Sequence, residues 1–483
     1  MNHDIQSPLV IGRGMHSARG LRVLALLTSA AVLGGCASFT PDGGFGAVER
    51  TTKERIGKDL QWARGEADLD VVANRVAELL AKPLTVDDAV QIALLNNRGL
   101  QAGFQELGIT EAEVVQAGRL PNPGFSFGRN SRGDEREIER GLHFNLARLV
   151  AMPLIGRMEA RRFEQVKGRL SMSVLSLAAD TRKAYFTALA AEETVRYMRQ
   201  VKQAADASAE LARRMEQVGN FNKLQRAREQ SFYANAVLQL ARAEQAQRST
   251  RERLVRLLGL WGAQTQFTLP ARLPDLPSSP LELPDVEQVA LAQRLDVQGA
   301  KLAAEQTASN LGLTRTTRFV NVLELGVMRN SSNEEPTQRG WEIGFELPLF
   351  DWGGARVARA EAIYMQTLHR AAESAINARS EVREAYTGYR SAYDIARHHR
   401  DEIVPLNQRI AEENVLRYNG MLIGVFELLA DARTQIASVN ASIEALRDFW
   451  IAQADLDMAS IGKPNLAATA GPAMATEAAG AGH

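Results

Sequence analysis

Two long intervals with almost no proline are the strongest constraint on the fold of this chain. No proline lies between Pro153 and Pro270, and only Pro405 lies between Pro348 and Pro464. Proline interrupts a helix because it lacks the N–H that bonds to the preceding turn. Only 6% of the residues are aromatic, and Ala, Leu, Arg, Glu and Gln are abundant, as is typical of long helices. We therefore predict long helical rods.

Within these intervals, seam positions recur at alternating steps of four and three residues. One seam runs from Leu170 to Met198, and another runs from Leu368 to Ala396. This spacing keeps one helix stripe against its neighbour when the helices form a left-handed coiled coil. We expect Pro405 to kink or interrupt the later rod. The predicted rods and return helices are 156–218, 223–258, 354–419 and 425–461.

The landmarks of the first interval recur in the second in the same order. Ala93–Leu100 matches Ala290–Val297, Pro153-Leu154 matches Pro348-Leu349, and Gly219 matches Gly420. The offset is about 200 residues each time, far longer than the period of solenoid repeats. We infer a tandem duplication, in which each repeat begins with a further helix. The predicted segments are a first repeat at 83–269 with its helix at 84–120, a Pro-rich linker at 270–284, and a second repeat at 285–463 with its helix at 285–316.

Short segments between the helices have apolar residues at every second position. This period places apolar side chains on one face of a strand and polar ones on the other. Phe319–Met328 is predicted as a further strand with poorer alternation, and the strands form hairpins at about 123–147 and 318–349. The alternating apolar residues are Phe125, Phe127, Leu142, Phe144, Leu146, Trp341, Ile343, Phe345, Leu347 and Leu349.

These hairpins are either amphipathic additions to a soluble core or membrane-crossing strands. We favour the second interpretation, since an isolated hairpin is marginally stable in water. The apolar face would then meet lipid, while His143, Asn145, Glu342 and Glu346 would face water. Open sheet edges cannot exist in hydrocarbon. Because two hairpins cannot close a barrel alone, we expect several subunits to share one.

The N-terminus has the pattern of an export signal. Arg13, Arg19 and Arg22 precede the apolar stretch Val23–Leu33, as in a secretory signal peptide. The stretch ends in Leu33-Gly34-Gly35-Cys36, which resembles the bacterial lipobox and contains the only cysteine of the chain. The alternative is an ordinary secretory signal with an incidental cysteine. The predicted terminal segments are a signal peptide at 1–35, a lipid-anchored segment at 36–82 that begins with lipidated Cys36, and a disordered tail at 464–483.

Charge and motif content argue against several other classes of protein. The 57 basic residues balance the 57 acidic ones, whereas a nucleic-acid binder needs a basic face. His398 and His399 are adjacent, so on a helix they point about 100° apart and do not easily share a metal ion. The sequence contains no catalytic motif and no nucleotide-binding loop. We expect a protein that is not an enzyme, with no metal site and no cofactor other than the covalent lipid on Cys36.

The ordered set of motifs resembles the bacterial TolC-like outer membrane efflux proteins (outer membrane factors), in their lipidated branch. The resemblance covers about 83–461 and includes Leu84–Ala89, which leads into Ala93–Asn97. It also includes Leu347–Gly354, which is similar to the strand-to-helix junction of that family. The corresponding first junction, Met152–Arg157, lacks the Asp-Gly-Gly part.

The resemblance implies a mainly helical homotrimer, with a coiled-coil α-barrel topped by a small shared β-barrel of four strands per chain, 12 in all. Its implied function is the passive outer-membrane channel of a tripartite efflux system, lipid-anchored and extending into the periplasm, with a periplasmic adaptor and an inner-membrane pump as partners. The alternative is a lipid-anchored periplasmic adaptor or coiled-coil scaffold. The cargo is not predicted.

In relatives, the glycine turns at the periplasmic helix tips meet the adaptor. Here the matching residues either contact an adaptor or only close the helical hairpins. They are Gly219, Asn220, Phe221, Gly420, Met421, Leu422 and Gly424.

Overall fold

The computed structural model describes residues 38–317, 323–345 and 350–466. The predicted signal peptide, Cys36, the outer ends of the second hairpin at 318–322 and 346–349, and most of the predicted tail lie outside these residues. The chain divides into two compact units. The first contains Gly108–Phe163 and Gly312–Val357, and the second contains Gly44–Leu107, Glu164–Leu311 and the chain from Ala358.

The described residues are mainly helical, and the order of elements in the first repeat recurs in the second. None of the described helices combines the length and the apolar character needed to cross a membrane. The helices are α1 Phe45–Ile56, α2 Glu66–Leu80, α3 Val86–Asn96, α4 Arg98–Ala117, α5 Leu146–Gln217, α6 Lys223–Leu258, α7 Val286–Gln293, α8 Leu295–Thr317, α9 Gly354–His398, α10 Val404–Asn419 and α11 Val425–Ile461. The strands are β1 Gly124–Arg132, β2 Glu135–Asn145, β3 Leu323–Ser332 and β4 Gln338–Phe345.

The first unit contains both hairpins, which form a single antiparallel sheet in the order β1-β2-β3-β4. Pairing between β2 and β3 joins strands that are far apart in the sequence. The amide N–H of Arg136 donates to Asn333 Oδ1 at 2.6 Å, and Asn333 Nδ2 donates to the carbonyl of Asp134 at 2.9 Å. Side-chain and backbone hydrogen bonds therefore connect the turns of the two hairpins.

Helix α5 begins directly after β2, ten residues before the predicted start at 156. Asn145 acts as its N-cap, because Asn145 Oδ1 accepts a hydrogen bond from the amide N–H of Arg148 at 2.8 Å. Leu146 is thus the first helical residue, and its prediction as a strand residue was wrong. Pro153 lies inside the helix, where its ring costs one backbone hydrogen bond but has a φ compatible with helix.

In the second unit, the predicted single helices 84–120 and 285–316 are each divided in two. The breaks lie at Asn97, with ψ 116°, and at Arg294, with ψ 125°. At the first break, Asn97 Oδ1 accepts a hydrogen bond from the amide N–H of Leu100 at 3.0 Å and so caps the start of α4. The breaks occur at aligned positions of the two repeats.

At both breaks, polar side chains bind the carboxyl end of the return helix. Asn96 Nδ2 donates to the carbonyl oxygens of Leu258 and Gly259 at 3.1 and 2.8 Å. In the second repeat, Arg294 Nη1 donates to the carbonyl of Ala459 at 3.4 Å. These bonds satisfy helix-terminal carbonyls that have no partner within the helix.

The second unit has two main hydrophobic clusters, which share Trp450 at their border. Trp450 stacks on Phe186 with 5.2 Å between ring centroids, and its indole N–H donates to the carbonyl of Pro274 at 3.1 Å. The hydroxyl of the buried Tyr393 donates to the carbonyl of Pro277 at 3.1 Å. The Pro-rich linker is therefore bound to helices α9 and α11.

The segment before the first repeat, whose path the sequence did not predict, forms α1 and α2. Phe45 packs edge-on against Phe104 of α4, with 5.0 Å between the ring centroids, and also contacts Trp62 at 5.9 Å. Val48 and Thr52 are fully buried. Residues 44–82 thus add to the core of the second unit.

The predicted rod 354–419 is interrupted by a π-helical segment, His399–Ile403, which separates α9 from α10. Pro405, the second residue of α10, lies directly after the interruption. Burial and the neighbouring His398 lower the pKa of His399, which favours its neutral form. No group of three or more His, Cys, Asp or Glu side chains that could hold a metal occurs in the described residues.

Candidate functional site

The strand register places large apolar side chains on one face of the sheet. Phe125, Leu142, Val327 and Trp341 are register partners and form a row across all four strands. Trp341 is 72% exposed and Phe125 is 68% exposed. Toward the helical ends of the strands the same face continues with Phe144, Leu325 and Ile343, and then with Leu323 and Phe345. We call this surface the apolar face.

The opposite surface, which we call the acidic face, contains every glutamate of the four strands. Its central row is Gly124, His143, Gly326 and Glu342. His143 Nε2 lies 2.9 Å from the hydroxyl of Ser126, which belongs to the same face. Of the residues predicted to face water, His143, Asn145 and Glu342 lie on this face, and Glu346 lies outside the described residues. The glutamates are Glu135, Glu137, Glu139, Glu324 and Glu342.

The first helix tip, between α5 and α6, turns at Gly219. Gly219 has φ +81°, a left-handed conformation that glycine adopts without steric cost. The amide N–H of Asn220 donates to the carbonyl of Met215 at 2.8 Å, and that of Gly219 donates to Glu216 at 3.0 Å. This pair of bonds is a Schellman motif, which satisfies the last carbonyls of α5.

The second tip, between α10 and α11, has the same bonds with a different residue in the left-handed position. The amide N–H of Leu422 donates to the carbonyl of Arg417 at 2.8 Å, and that of Met421 donates to Tyr418 at 3.0 Å. Met421 has φ +58° and is the only non-glycine residue with positive φ in the described part of the chain. Gly420 has φ −80°.

The predicted equivalence of Gly219 and Gly420 is therefore wrong by one residue. Met421 is the structural counterpart of Gly219, and it adopts a conformation that costs a residue with a Cβ about 1 kcal/mol. In a sequence, glycine marks a left-handed turn because it adopts that conformation without steric cost. In the second tip methionine occupies the left-handed position, and the glycine lies one residue before it.

The return helices begin at equivalent N-caps with different chemistry. In the first tip, Asn222 Oδ1 accepts from the amide N–H of Gln225 at 2.9 Å, and Gln225 Oε1 accepts from the amide N–H of Asn222 at 2.7 Å. Such reciprocal bonds form a capping box. In the second tip Gly424 is the N-cap and supplies only its backbone, whose carbonyl accepts from the amide N–H of Glu427 at 3.2 Å.

Several apolar side chains at the tips are exposed. Met421 is 93% exposed and Leu422 is 73% exposed, while Val218 at the first tip is 71% exposed. Asn220 is also exposed, and Phe221 is partly buried. The structure thus places the predicted tip residues in two helix–helix turns, and the second turn has the more apolar surface.

Beside each tip a carboxylate that the sequence did not predict accepts a hydrogen bond from the partner helix. Glu229 of α6 is 1% exposed and accepts a hydrogen bond from the Ser208 hydroxyl of α5 at 2.8 Å. Asp431 of α11 accepts one from the Asn414 amide of α10. The two carboxylates stand at the same position relative to their N-caps, and each crosses from the return helix to its partner. The correspondence between Glu229 and Asp431 can be recognised in the sequence only when the two tips are aligned with Met421 opposite Gly219.

No protein-family model matches the chain. The chain is 26% identical over 281 residues to the cobalt-zinc-cadmium resistance protein CzcC of Cupriavidus metallidurans. The match covers 56% of this chain and 64% of that protein, so it spans slightly less than two thirds of the relative.

Solved structures of outer-membrane channels match a larger part of the chain. The open state of the MtrE outer membrane channel of Neisseria gonorrhoeae matches with a TM-score of 0.66 and 18% identity, over 78% of this chain and 89% of that one. The CmeC outer membrane channel of Campylobacter jejuni matches with a TM-score of 0.65 and 17% identity, over 78% and 85%.

A crystal structure of CusC matches with a TM-score of 0.65 and 18% identity, over 78% of this chain and 92% of that one. That structure comes from work on the folding and transmembrane channel formation of CusC. These likenesses confirm the predicted fold class. The chain has the fold of the TolC-like outer membrane efflux channels.

Proposed function

We propose that this chain is the outer-membrane channel of an efflux system. The observation that carries the proposal is the separation of side chains in the sheet, with exposed aromatic and aliphatic residues on one face and every strand glutamate on the other. Lipid requires an apolar surface, and an aqueous path requires a polar one. The likeness in fold to outer-membrane channels supports the same assignment.

The topology of the sheet supports assembly from several copies. Strands β1 and β4 are its edges, and hydrocarbon does not tolerate open strand edges because their N–H and C=O groups would lack partners. Three copies would pair β1 of one chain with β4 of the next, as the resemblance implies. Cys36 would carry the lipid that anchors the mature chain to the same membrane.

The channel would conduct passively, and its acidic face would favour cations. Glutamate rings give channels cation selectivity because they lower the electrostatic energy of a positive ion in the pore. If three copies assemble, each glutamate of the acidic face occurs three times around the pore. Energy for export would come from an inner-membrane pump, joined to the channel by a periplasmic adaptor.

Purified protein in planar lipid bilayers is expected to conduct, with a reversal potential that shows cation preference in a salt gradient. Glu342→Gln should shift this potential toward zero, whereas Arg339→Gln, on the apolar face, should leave it nearly unchanged.

We expect the helix tips to close the pore at rest. Gly420→Pro should then increase the conductance, since proline removes the N–H that donates to the carbonyl of Leu416 at 3.0 Å.

Failure of both the native chain and Gly420→Pro to conduct would contradict the channel proposal. It would favour the alternative, a lipid-anchored adaptor or scaffold. Equal shifts in Glu342→Gln and Arg339→Gln would instead contradict the assignment of the acidic face to the pore.

Divalent transition-metal ions are the cargo class that we propose. The curated relative is a cobalt-zinc-cadmium resistance protein, and carboxylates on the proposed pore surface suit positively charged cargo. The acidic face would attract such ions without holding them, since no described group of three or more ligands there could bind a metal. Passage requires such weak interaction.

We further propose that the second helix tip docks the adaptor through Met421 and Leu422. Both side chains are apolar and exposed, and together they offer an apolar surface that a protein partner can cover. The strained backbone at Met421 supports this, because glycine would close the same turn at lower cost. The side chain therefore has a use that the turn itself does not require.

The double substitution Met421→Gly and Leu422→Ser should raise the cellular content of Zn²⁺ and Cd²⁺ by blocking export, without loss of assembly. Glycine at position 421 relieves about 1 kcal/mol of backbone strain, so misfolding of the turn would not explain the defect. The matched control is Gly219→Ala, which adds strain at the first tip but removes no apolar side chain.

Photo-crosslinkers placed at 421 and 422 should capture a periplasmic protein with a helical hairpin. Unchanged metal content together with an absent crosslink would exclude this docking site.

A further inference from the structure

The apolar face of the sheet ends, toward the hairpin turns, in a row of arginines. Arg140, Arg329 and Arg339 are register partners on three neighbouring strands, and Phe127 completes the row on β1. The row follows directly after the one that contains Trp341. All three arginines are exposed, and we call them the arginine row.

Among the described strand residues, no acidic side chain shares a face with the arginine row. Every strand glutamate lies on the acidic face, and none of the ion pairs between described residues includes Arg140, Arg329 or Arg339. The polar contact of Arg140 Nη1 is with the Ser331 hydroxyl, at 3.4 Å. Directly opposite side chains on paired strands have Cβ atoms about 5 Å apart, and like charges there are destabilising.

More arginines follow in the same direction. Arg129 and Arg136 lie on the same face nearer the turns, and both are exposed. One surface of this sheet therefore changes from apolar to strongly cationic along the strands, while the other surface remains acidic. A sheet that was simply solvated would not need such a separation.

The position of the row matches the boundary of a membrane. From Phe345 to Arg339, β4 advances about 20 Å at roughly 3.4 Å per residue, close to the apolar band of about 25 Å in outer-membrane proteins. Trp341, one row nearer the apolar side, is of the type enriched at membrane interfaces. Lipid phosphates occupy this level, and arginine binds phosphate through two parallel N–H···O bonds.

We propose that the arginine row binds the phosphate groups of phosphorylated lipids in the leaflet next to the hairpin turns. The phosphates would supply the negative charge that the face lacks and would relieve repulsion among the guanidinium groups. This inference rests on the proposed membrane orientation of the sheet. It goes beyond conduction, because it assigns a specific lipid contact to residues outside the pore.

The test compares the native chain with Arg140→Gln/Arg329→Gln/Arg339→Gln in nanodiscs of phosphatidylcholine, with and without diphosphoryl lipid A. After extraction in mild detergent, native mass spectrometry counts the lipid A molecules that remain bound. The triple glutamine variant should retain about tenfold less than the native chain, since charge-assisted bonds to phosphate are lost. The corresponding triple lysine variant should retain an intermediate amount, because lysine keeps the charge without the planar fork.

Two controls establish whether the arginine row itself holds the lipid. Arg132→Gln removes an arginine near the turns on the acidic face and should not reduce lipid retention. Inorganic phosphate in excess should displace little lipid A, since the acyl chains remain against the apolar face. Equal retention by the native and triple glutamine chains would overturn the proposal.

Conductance in the same lipids distinguishes failure of this inference from failure of the proposed function. A triple glutamine variant that conducts normally but does not lose lipid A would overturn only the lipid site. A native chain that neither inserts nor conducts would overturn the membrane orientation, and with it this inference.

Discussion

Replacing Arg294 by methionine is expected to lower the free energy of unfolding by about 3–5 kcal/mol. Arg294 is 1% exposed. Its guanidinium donates to Asp296 at 3.0 and 2.7 Å, to Glu381 at 2.6 Å and to the carbonyl of Ala459 at 3.4 Å. Burial lowers the pKa of Arg294, but the hydrogen bonds and charges of the two carboxylates outweigh it and raise the pKa overall. Methionine would leave both carboxylates without their cation.

Guanidinium-induced loss of the helical circular dichroism signal would measure the effect of Arg294→Met. The matched control is the triple variant Arg294→Met/Asp296→Asn/Glu381→Gln, which removes the stranded charges and should recover most of the lost stability. A single variant within about 1 kcal/mol of the native chain would show that the cluster contributes little.

Ile343→Arg should prevent stable insertion into the membrane. Ile343 lies in the middle of the apolar face, between the Trp341 and Phe345 positions of β4. An arginine facing lipid near the middle of a bilayer costs about 2–4 kcal/mol per copy in a β-barrel protein. With several copies in one assembly the cost multiplies. We expect loss of the protein from the outer-membrane fraction.

The control for Ile343→Arg is Glu342→Arg, one residue away on the acidic face. That chain should insert, because its new arginine would face water, although its conductance should change. If both variants insert equally well, or if both fail to insert, the assignment of the two faces is contradicted.

The long helices and the hairpins could be predicted from the sequence because their patterns are local. A period of 3.5 residues and a period of two need no knowledge of distant contacts. The start of α5 could also have been found, since Asn145 is a favourable N-cap. The prediction instead gave priority to Pro153, although proline disfavours a helix without strictly excluding it.

The helix breaks at Asn97 and Arg294 could not be predicted in the same way. Each break is stabilised by bonds to the end of a return helix far along the chain, and neither residue is a proline or glycine. The segment preferences favour continuous helix, and tertiary hydrogen bonding overrides them.

The candidate site was predicted in part. Alternation within single strands identified which residues share a face, but the arginine row depends on the register between β2 and β3, which are not adjacent in the sequence. At the tips, the sequence located both turns, yet glycine alone could not mark the left-handed residue, because Met421 adopts that conformation.

The different anchors at the two helix breaks affect how each half of the duplicated chain can change during evolution. Asn96 and Asn97 donate hydrogen bonds only to main-chain oxygen atoms of the first return helix. Side chains at the end of that helix can therefore be substituted without loss of these bonds. Arg294 relies on two acidic side chains from separate helices. The sequence of the return helix in the first repeat is therefore less constrained at the helix break. In the second repeat, the arginine and its two acidic partners must be conserved or replaced together.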